Sequence, residues 1–326
     1  MRTAMATAVV GDDILGEDPT VKRLEAMSAE MFGKEAGLFV ISGTMANQVS
    51  IMALTQLGDE IIVGEDTHIY NLEVGGLAAL SGVQSRPLKA EKGKFRPVDV
   101  KKAIRPKGIQ AAVTRVLCLE NTYNLNRGIP LGLDYHQEMA DIAHSHDMSV
   151  YLDGARIFNA ALAMNVSLAE LCRPVDCLQF CLSKGLAAPV GSIIVGSKAL
   201  IDRARWIKQR IGGGMRQAGH MAAAGVVALE KMMARLEEDH ENAARLAAGL
   251  AAIDGRLINR DDQLTNIVHI NFAAAGKQAA PIVRALSESS VKIKQIDDGT
   301  CRMITHWGIV KDDIDTVLAL YKKILK

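Results

Sequence analysis

Residues 148–185 read MSVYLDGARIFNAALAMNVSLAELCRPVDCLQFCLSKG. Two apolar runs, MSVYLD at 148–153 and DCLQFCLSKG at 176–185, flank a stretch that suits a helix. Asp153 stands 184 − 153 = 31 residues before Lys184, a gap that one strand–helix–strand unit fills. Parallel neighbours of that kind would set both side chains in one crevice, outside the carboxyl ends of the strands, where open α/β sheets bind ligands.

The pattern repeats outward. GLFVI (37–41), EIIVG (60–64) and VTRVLCLEN (113–121) precede it as short strands, and VGSIIVG (190–196) follows. Helices are expected after Gly43-Thr44, in MANQVSIMALTQL, and around 134–146. Another opens at Asp18-Pro19, with Asp as N-cap, Pro in the first turn and Val21, Leu24, Met27 and Met31 at helical spacing. Short apolar strands alternating with amphipathic helices predict an α/β fold: a mostly parallel sheet sandwiched by helices. A long Ala-rich helical stretch is expected from about Gln217 to Ala252, followed by strands in TNIVHINF and CRMITHW between helical segments. This predicts a large domain over 1–240 and a smaller C-terminal α+β domain over 241–326.

Composition narrows the function. The 326 residues carry 38 Lys+Arg against 37 Asp+Glu, a formal net charge of +1, so no polyanion-binding field is implied. Aromatics at 4% argue against base-stacking platforms for nucleic acid. The start, MRTAMATAVVGDD, turns acidic too soon for a signal or transit peptide. The longest uncharged run, Gly37 to Gly58, holds too many polar residues and glycines for a membrane span. Cys118, Cys172, Cys177, Cys181 and Cys301 form no C-x-x-C pair and read as reduced, buried thiols of a cytoplasmic protein, with no metal site; zinc on Cys172, Cys177 and Cys181 is the sharper alternative.

Every strand end carries chemically capable residues. Lys184 follows an apolar strand, and partial desolvation would suit its amine to Schiff-base chemistry; the plain alternative is a strand-end lysine whose tip reaches water. Asp153 could hold a pyridine nitrogen protonated, or simply cap a helix. Gly43 and Thr44, between strand and helix, fit a phosphate cup or an efficient turn. His68 could stack on a cofactor ring or move protons, or be an ordinary loop histidine. No G-x-G-x-x-G or G-x-x-x-x-G-K-[ST] occurs, which weighs against dinucleotide and P-loop binding.

The strings SGTMANQ, HIYNLEVGG, LENTYN, DGARIFNA, LSKGLAAPVGS and GGGMRQAG, in that order along nearly the whole chain, resemble the threonine aldolases. These are pyridoxal-phosphate (PLP) enzymes of the aspartate-aminotransferase-like, fold type I group. The resemblance implies an aldehyde-lyase that cleaves L-threonine, L-allo-threonine and similar β-hydroxy-α-amino acids to glycine and an aldehyde, with an amino acid as its small-molecule partner. It implies that Lys184 carries PLP, Asp153 holds the pyridine nitrogen, His68 stacks over the ring, and Gly43 and Thr44 bind the phosphate; His68, directly or through water, is the candidate base. Arg156 would lie near the phenolic oxygen and, with Arg302 of DGTCRMITHW, grip the substrate carboxylate. Arg216 is a weaker candidate, reaching the site from a neighbouring subunit of a homo-oligomer, dimer or tetramer.

Two departures stand out. Family members usually begin with an S-D-T segment whose serine helps hold the carboxylate, and this chain begins inside what looks like the following helix. Either the sequence is truncated or carboxylate binding differs. Tyr123 replaces a frequent His; it could hydrogen-bond the substrate hydroxyl but is a poor base at neutral pH. The rivals are another PLP lyase, transaminase or desulfurase on the same scaffold, and an inactive oligomer-forming relative.

Overall fold

A computed structural model describes residues 1–125 and 127–325. Seven strands form one sheet: β1 (Ala36–Val40), β2 (Glu60–Gly64), β3 (Gln84–Leu88), β4 (Thr114–Glu120), β5 (Ser149–Asp153), β6 (Cys177–Cys181) and β7 (Ser192–Gly196). Their order is β1-β7-β6-β5-β4-β2-β3. Only β7 runs against its neighbours, β1 and β6. Two reversals restore direction, so β1 runs with β6, and the carboxyl ends of β1, β2, β4, β5 and β6 share one edge.

The apolar runs read as strands because both faces are covered. Successive side chains alternate between two cores. Phe39, Ile62, Leu117, Leu152 and Phe180 enter one, with the helices Pro19–Met31, Leu133–His144 and Gly219–Lys231. Leu38, Val63, Val116, Tyr151 and Cys177 enter the other, with the helices Gly43–Leu54 and Lys198–Arg210. Strand β3, QSRPL, has no apolar run to mark it because it is an edge strand: half-exposed, polar, and able to carry Pro87.

The Pro19 helix starts as its sequence predicts. The Asp18 carboxylate accepts from Thr20 N and Val21 N, both at 3.0 Å, and from Gly219 N at 2.9 Å. The long stretch expected over 217–252 is instead two helices, Gly219–Lys231 and Leu236–Ile253. Local propensity favours helix throughout, so the break is a tertiary effect. The first helix packs on the seven-stranded sheet. The second begins there at Leu236, then passes at Ala243 and Leu246 to a separate core. That core lies against a second sheet of β8 (Ile267–Asn271), β9 (Lys294–Gln295) and β10 (Thr300–Ile304), antiparallel in the order β8-β10-β9. All five cysteines are buried, and among the described residues no helix is long and apolar enough to cross a membrane.

Candidate active site

The shared edge gathers the strand ends. β2 leads into His68, β4 ends at Glu120, β5 ends at Asp153, β6 leads into Lys184 and β1 leads into Gly43. Asp153 pairs in register with Glu120 on one side and Gln179 on the other. Side-chain atoms of His68, Glu73 and Asp153 lie within 4.8 Å of one another, and the Lys184 charge also bears on His68.

Asp153 is buried, and its carboxylate is mostly occupied. Oδ1 accepts from Gln179 Nε2 at 2.5 Å and Ala155 N at 3.1 Å, and Oδ2 accepts from Asn47 Nδ2 at 3.0 Å. A carboxylate offers about four lone-pair sites. Three donors leave one site open, on Oδ2. That suits a single N–H⁺ partner such as a protonated ring nitrogen.

A second carboxylate sets the histidine. Glu73, buried, accepts on Oε1 from Asn47 Nδ2 at 2.5 Å and on Oε2 from Gln48 Nε2 at 2.8 Å. His68 Nδ1 lies 2.9 Å from the same Oε1. The carboxylate can only accept, so Nδ1 carries the proton and the lone pair of the neutral ring is on Nε2. The hydrogen bond to Glu73 raises the His68 pKa against the opposing effect of burial. Asn47 bridges the two carboxylates and receives the Tyr151 hydroxyl on Oδ1 at 2.6 Å.

Glu120 ties two loops together. Oε2 accepts the His68 backbone N–H at 2.7 Å and Oε1 accepts that of Asn124 at 2.8 Å. Burial first, and the nearby Asp153 charge second, raise its pKa.

Two guanidiniums converge on Asn124. Arg156 Nη1 donates to its Oδ1 at 3.1 Å, and Arg302 Nη1 to the same oxygen at 2.7 Å and to its backbone O at 3.2 Å. Arg302 is 8% exposed, yet its Nε is buried without a partner among the described residues. Burial, then the Arg156 charge, lower the Arg302 pKa. A buried and a half-buried cation sharing a neutral amide, with a donor left over, call for an anion.

Gly43 and Thr44 open the 12-residue helix Gly43–Leu54, capped by Ser42 Oγ, which accepts from Met45 N at 3.1 Å. A Cβ on Gly43 would stand 2.8 Å from Cys181 Sγ. The missing side chain lets the backbone of this turn lie close over β6. The first N–H groups of a helix have no partner inside it and favour an anion.

Two expected residues stand apart. The Tyr123 ring is buried and its hydroxyl donates to Asp66 Oδ1 at 2.5 Å, and burial and Asp66 push its pKa far up. In this arrangement the hydroxyl serves a protein carboxylate, a role unlike the expected one toward a substrate hydroxyl. Arg216 is exposed and ion-paired with Asp12.

Asn47, Glu73, Glu120, Asn124 and Gln179 had no assigned role from sequence. Asn47 lies one helical turn after Gly43, and Gln179 interrupts an apolar strand; both spacings are legible signals. Glu73 gave none, because the segment after His68 is irregular.

The site fits PLP on its own donor set: one open lone pair at Asp153, a helix N-terminal turn at Gly43, a lysine past the end of β6, and cationic donors at Arg156 and Arg302.

The beta-eliminating lyase family matches residues 1–273. A probable low-specificity L-threonine aldolase 2 of Arabidopsis thaliana is 41% identical over 329 residues, 99% of this chain and 93% of that one. The low specificity L-threonine aldolase of Escherichia coli K12 is 40% identical over 323 residues, 94% of each. A solved Leishmania major threonine aldolase superposes with a TM-score of 0.83 at 19% identity, covering 98% of this chain and 93% of that one.

Proposed function

Because the chain belongs to the beta-eliminating lyase family, and within it to the low-specificity threonine aldolases, we propose that its site breaks the Cα–Cβ bond of L-threonine, L-allo-threonine and similar β-hydroxy-α-amino acids. The products are glycine and an aldehyde. One observation carries this reading: a buried arginine with an unpaired Nε, Arg302, and the half-buried Arg156 share Asn124 beside the crevice of Asp153 and His68.

PLP is the cofactor of this family. Lys184 would hold it at its aldehyde carbon, Asp153 at its ring nitrogen, and the Gly43–Thr44 turn at its phosphate, with His68 over the ring. When bound, it supplies an electron sink for the pair released at Cα.

The protein's own groups do the rest. Arg302 and Arg156 take the substrate carboxylate in the planar fork that guanidinium offers. Neutral His68, its Nδ1–H held by Glu73, presents Nε2 as the base for the β-hydroxyl proton. That proton leaves as the Cα–Cβ bond opens, and Cα regains a proton from Lys184. For threonine, the β-carbon departs as acetaldehyde. A β-methyl is worth only about 1–3 kcal/mol of discrimination, so threonine and allo-threonine are both expected to turn over.

Incubation with L-threonine tests this directly. Glycine and acetaldehyde in equal amounts are expected. Ammonia with a 2-oxo acid in their place would assign the site to elimination instead.

A pH profile tests the base. Glu73 raises the His68 pKa, and His68 acts when neutral, so Glu73 holds the ascending limb of kcat at higher pH. Glu73→Gln should move that limb to lower pH. A limb that stays in place removes His68 from the base role.

Arg216 is the residue we place toward a neighbouring copy. Val9, Leu15 and Trp206 are 72%, 67% and 79% exposed, apolar surface that a homo-oligomer, dimer or tetramer, would cover. The five buried thiols accord with a reducing cytoplasm.

A further inference from the structure

A carboxamide in the middle of a fully buried strand is costly unless both its ends are satisfied. Gln179 is such a residue: β6 is buried at every position, and Gln179 is 1% exposed. Its Nε2 donates to Asp153 Oδ1 at 2.5 Å, and its Oε1 faces Cys181 Sγ at 3.8 Å. Ser192 Oγ lies 3.3 Å from that sulfur. The carboxylate partner accepts only, which settles the amide's orientation.

The ladder holds this contact in place. Gln179 and Asp153 are partners in the register of β5 and β6, so their backbones are fixed side by side. The string from Asp153 through Gln179 to Cys181 and Ser192 passes beneath Gly43. A Cβ there would lie 3.9 Å from Gln179 Nε2 and 3.6 Å from Ser192 Oγ.

With Ala155 N on the same atom, Gln179 fills both lone pairs of Oδ1. Among the described residues, the opening left is on Oδ2, beside the Asn47 bond. Without Gln179, a buried oxygen would lose a donor and the carboxylate could present either oxygen. We propose that Gln179 is a positioning residue: it clamps Asp153 so that a single Oδ2 lone pair meets the ring nitrogen of the cofactor. This rests on the PLP reading above.

The test compares two ligands on the full chain freed of cofactor. PLP has the ring nitrogen, and its 1-deaza analogue carries C–H there. Binding of each is followed by absorbance, without turnover. Gln179→Met keeps the volume and removes the donor. Gln179→Ser, too short to reach Asp153, is a polar second variant should the Met protein not fold.

Either variant should bind PLP about tenfold more weakly than the wild type, the size of one lost hydrogen bond to a charge. Its affinity for the deaza analogue should stay within about twofold. Wild-type affinity for PLP, or an equal loss for both ligands, would overturn the proposal and make Gln179 a packing residue. Should the wild type bind neither ligand, the cofactor reading itself falls, a result distinguishable from the others because no substitution is involved.

Discussion

Lys184→Ala is expected to remove the visible cofactor absorbance that survives dialysis and to lower turnover by about 10⁴-fold or more. The lysine follows β6 by three residues, half-buried, and its charge reaches the His68 ring beside Asp153. No alanine can form a covalent link at the cofactor's aldehyde carbon or return a proton to Cα. The other proposed anchors, Asp153 and the Gly43 turn, are untouched, so the variant should still take up PLP reversibly. Dialysis should then strip the variant and leave the wild type loaded. The measurements are the absorption spectrum before and after dialysis, and acetaldehyde release from threonine. If the variant keeps both its colour and its turnover, Lys184 is not the cofactor's lysine.

Arg302→Leu should act on substrate and leave the cofactor alone. Its guanidinium is buried, holds Asn124 by one nitrogen and has its Nε unspent. Loss of one side of a buried, hydrogen-bonded charge pair costs about 2–5 kcal/mol. Threonine kcat/KM should therefore fall roughly 30-fold to a few thousandfold. Most of the change should appear in KM, since the carboxylate is held alike before and during bond cleavage. Arg302→Lys should recover only part, because an ammonium lacks the planar fork. The cofactor spectrum at saturating PLP is the control. An unchanged KM would leave the substrate carboxylate to Arg156 or another group.

The strands were legible because they are buried on both faces. GLFVI, EIIVG, RVLCL, SVYL and CLQFC are apolar runs that need no partner to be recognised. The residue just past each run was legible too, since a strand's carboxyl end faces the ligand edge. Lys184, Asp153, His68 and Gly43 all stand there. Edge strand β3 was not, and neither was the break between Lys231 and Leu236, where helix-forming residues run on. Nothing local marks a helix that must leave one core for another.

Tyr123 shows the other kind of limit. Its place in LENTYN suggested a hydroxyl for the substrate, yet Asp66, 57 residues away, receives it. Glu73 and Gln179 are similar cases. Each matters through an atom contributed by another strand or helix, Asn47 and His68 for one, Asp153 for the other.

Short-range chemistry thus specified the strands, their order of polar endings and the amine and acid at the crevice. Backbone periodicity and burial act over a few residues and leave their trace in composition. Packing between distant segments decided which lone pair of Asp153 stays open, which nitrogen of His68 bears the proton and where the Tyr123 hydroxyl points. Those outcomes depend on donors and acceptors brought to within about 3 Å by the completed sheet, and no one segment of chain contains both partners.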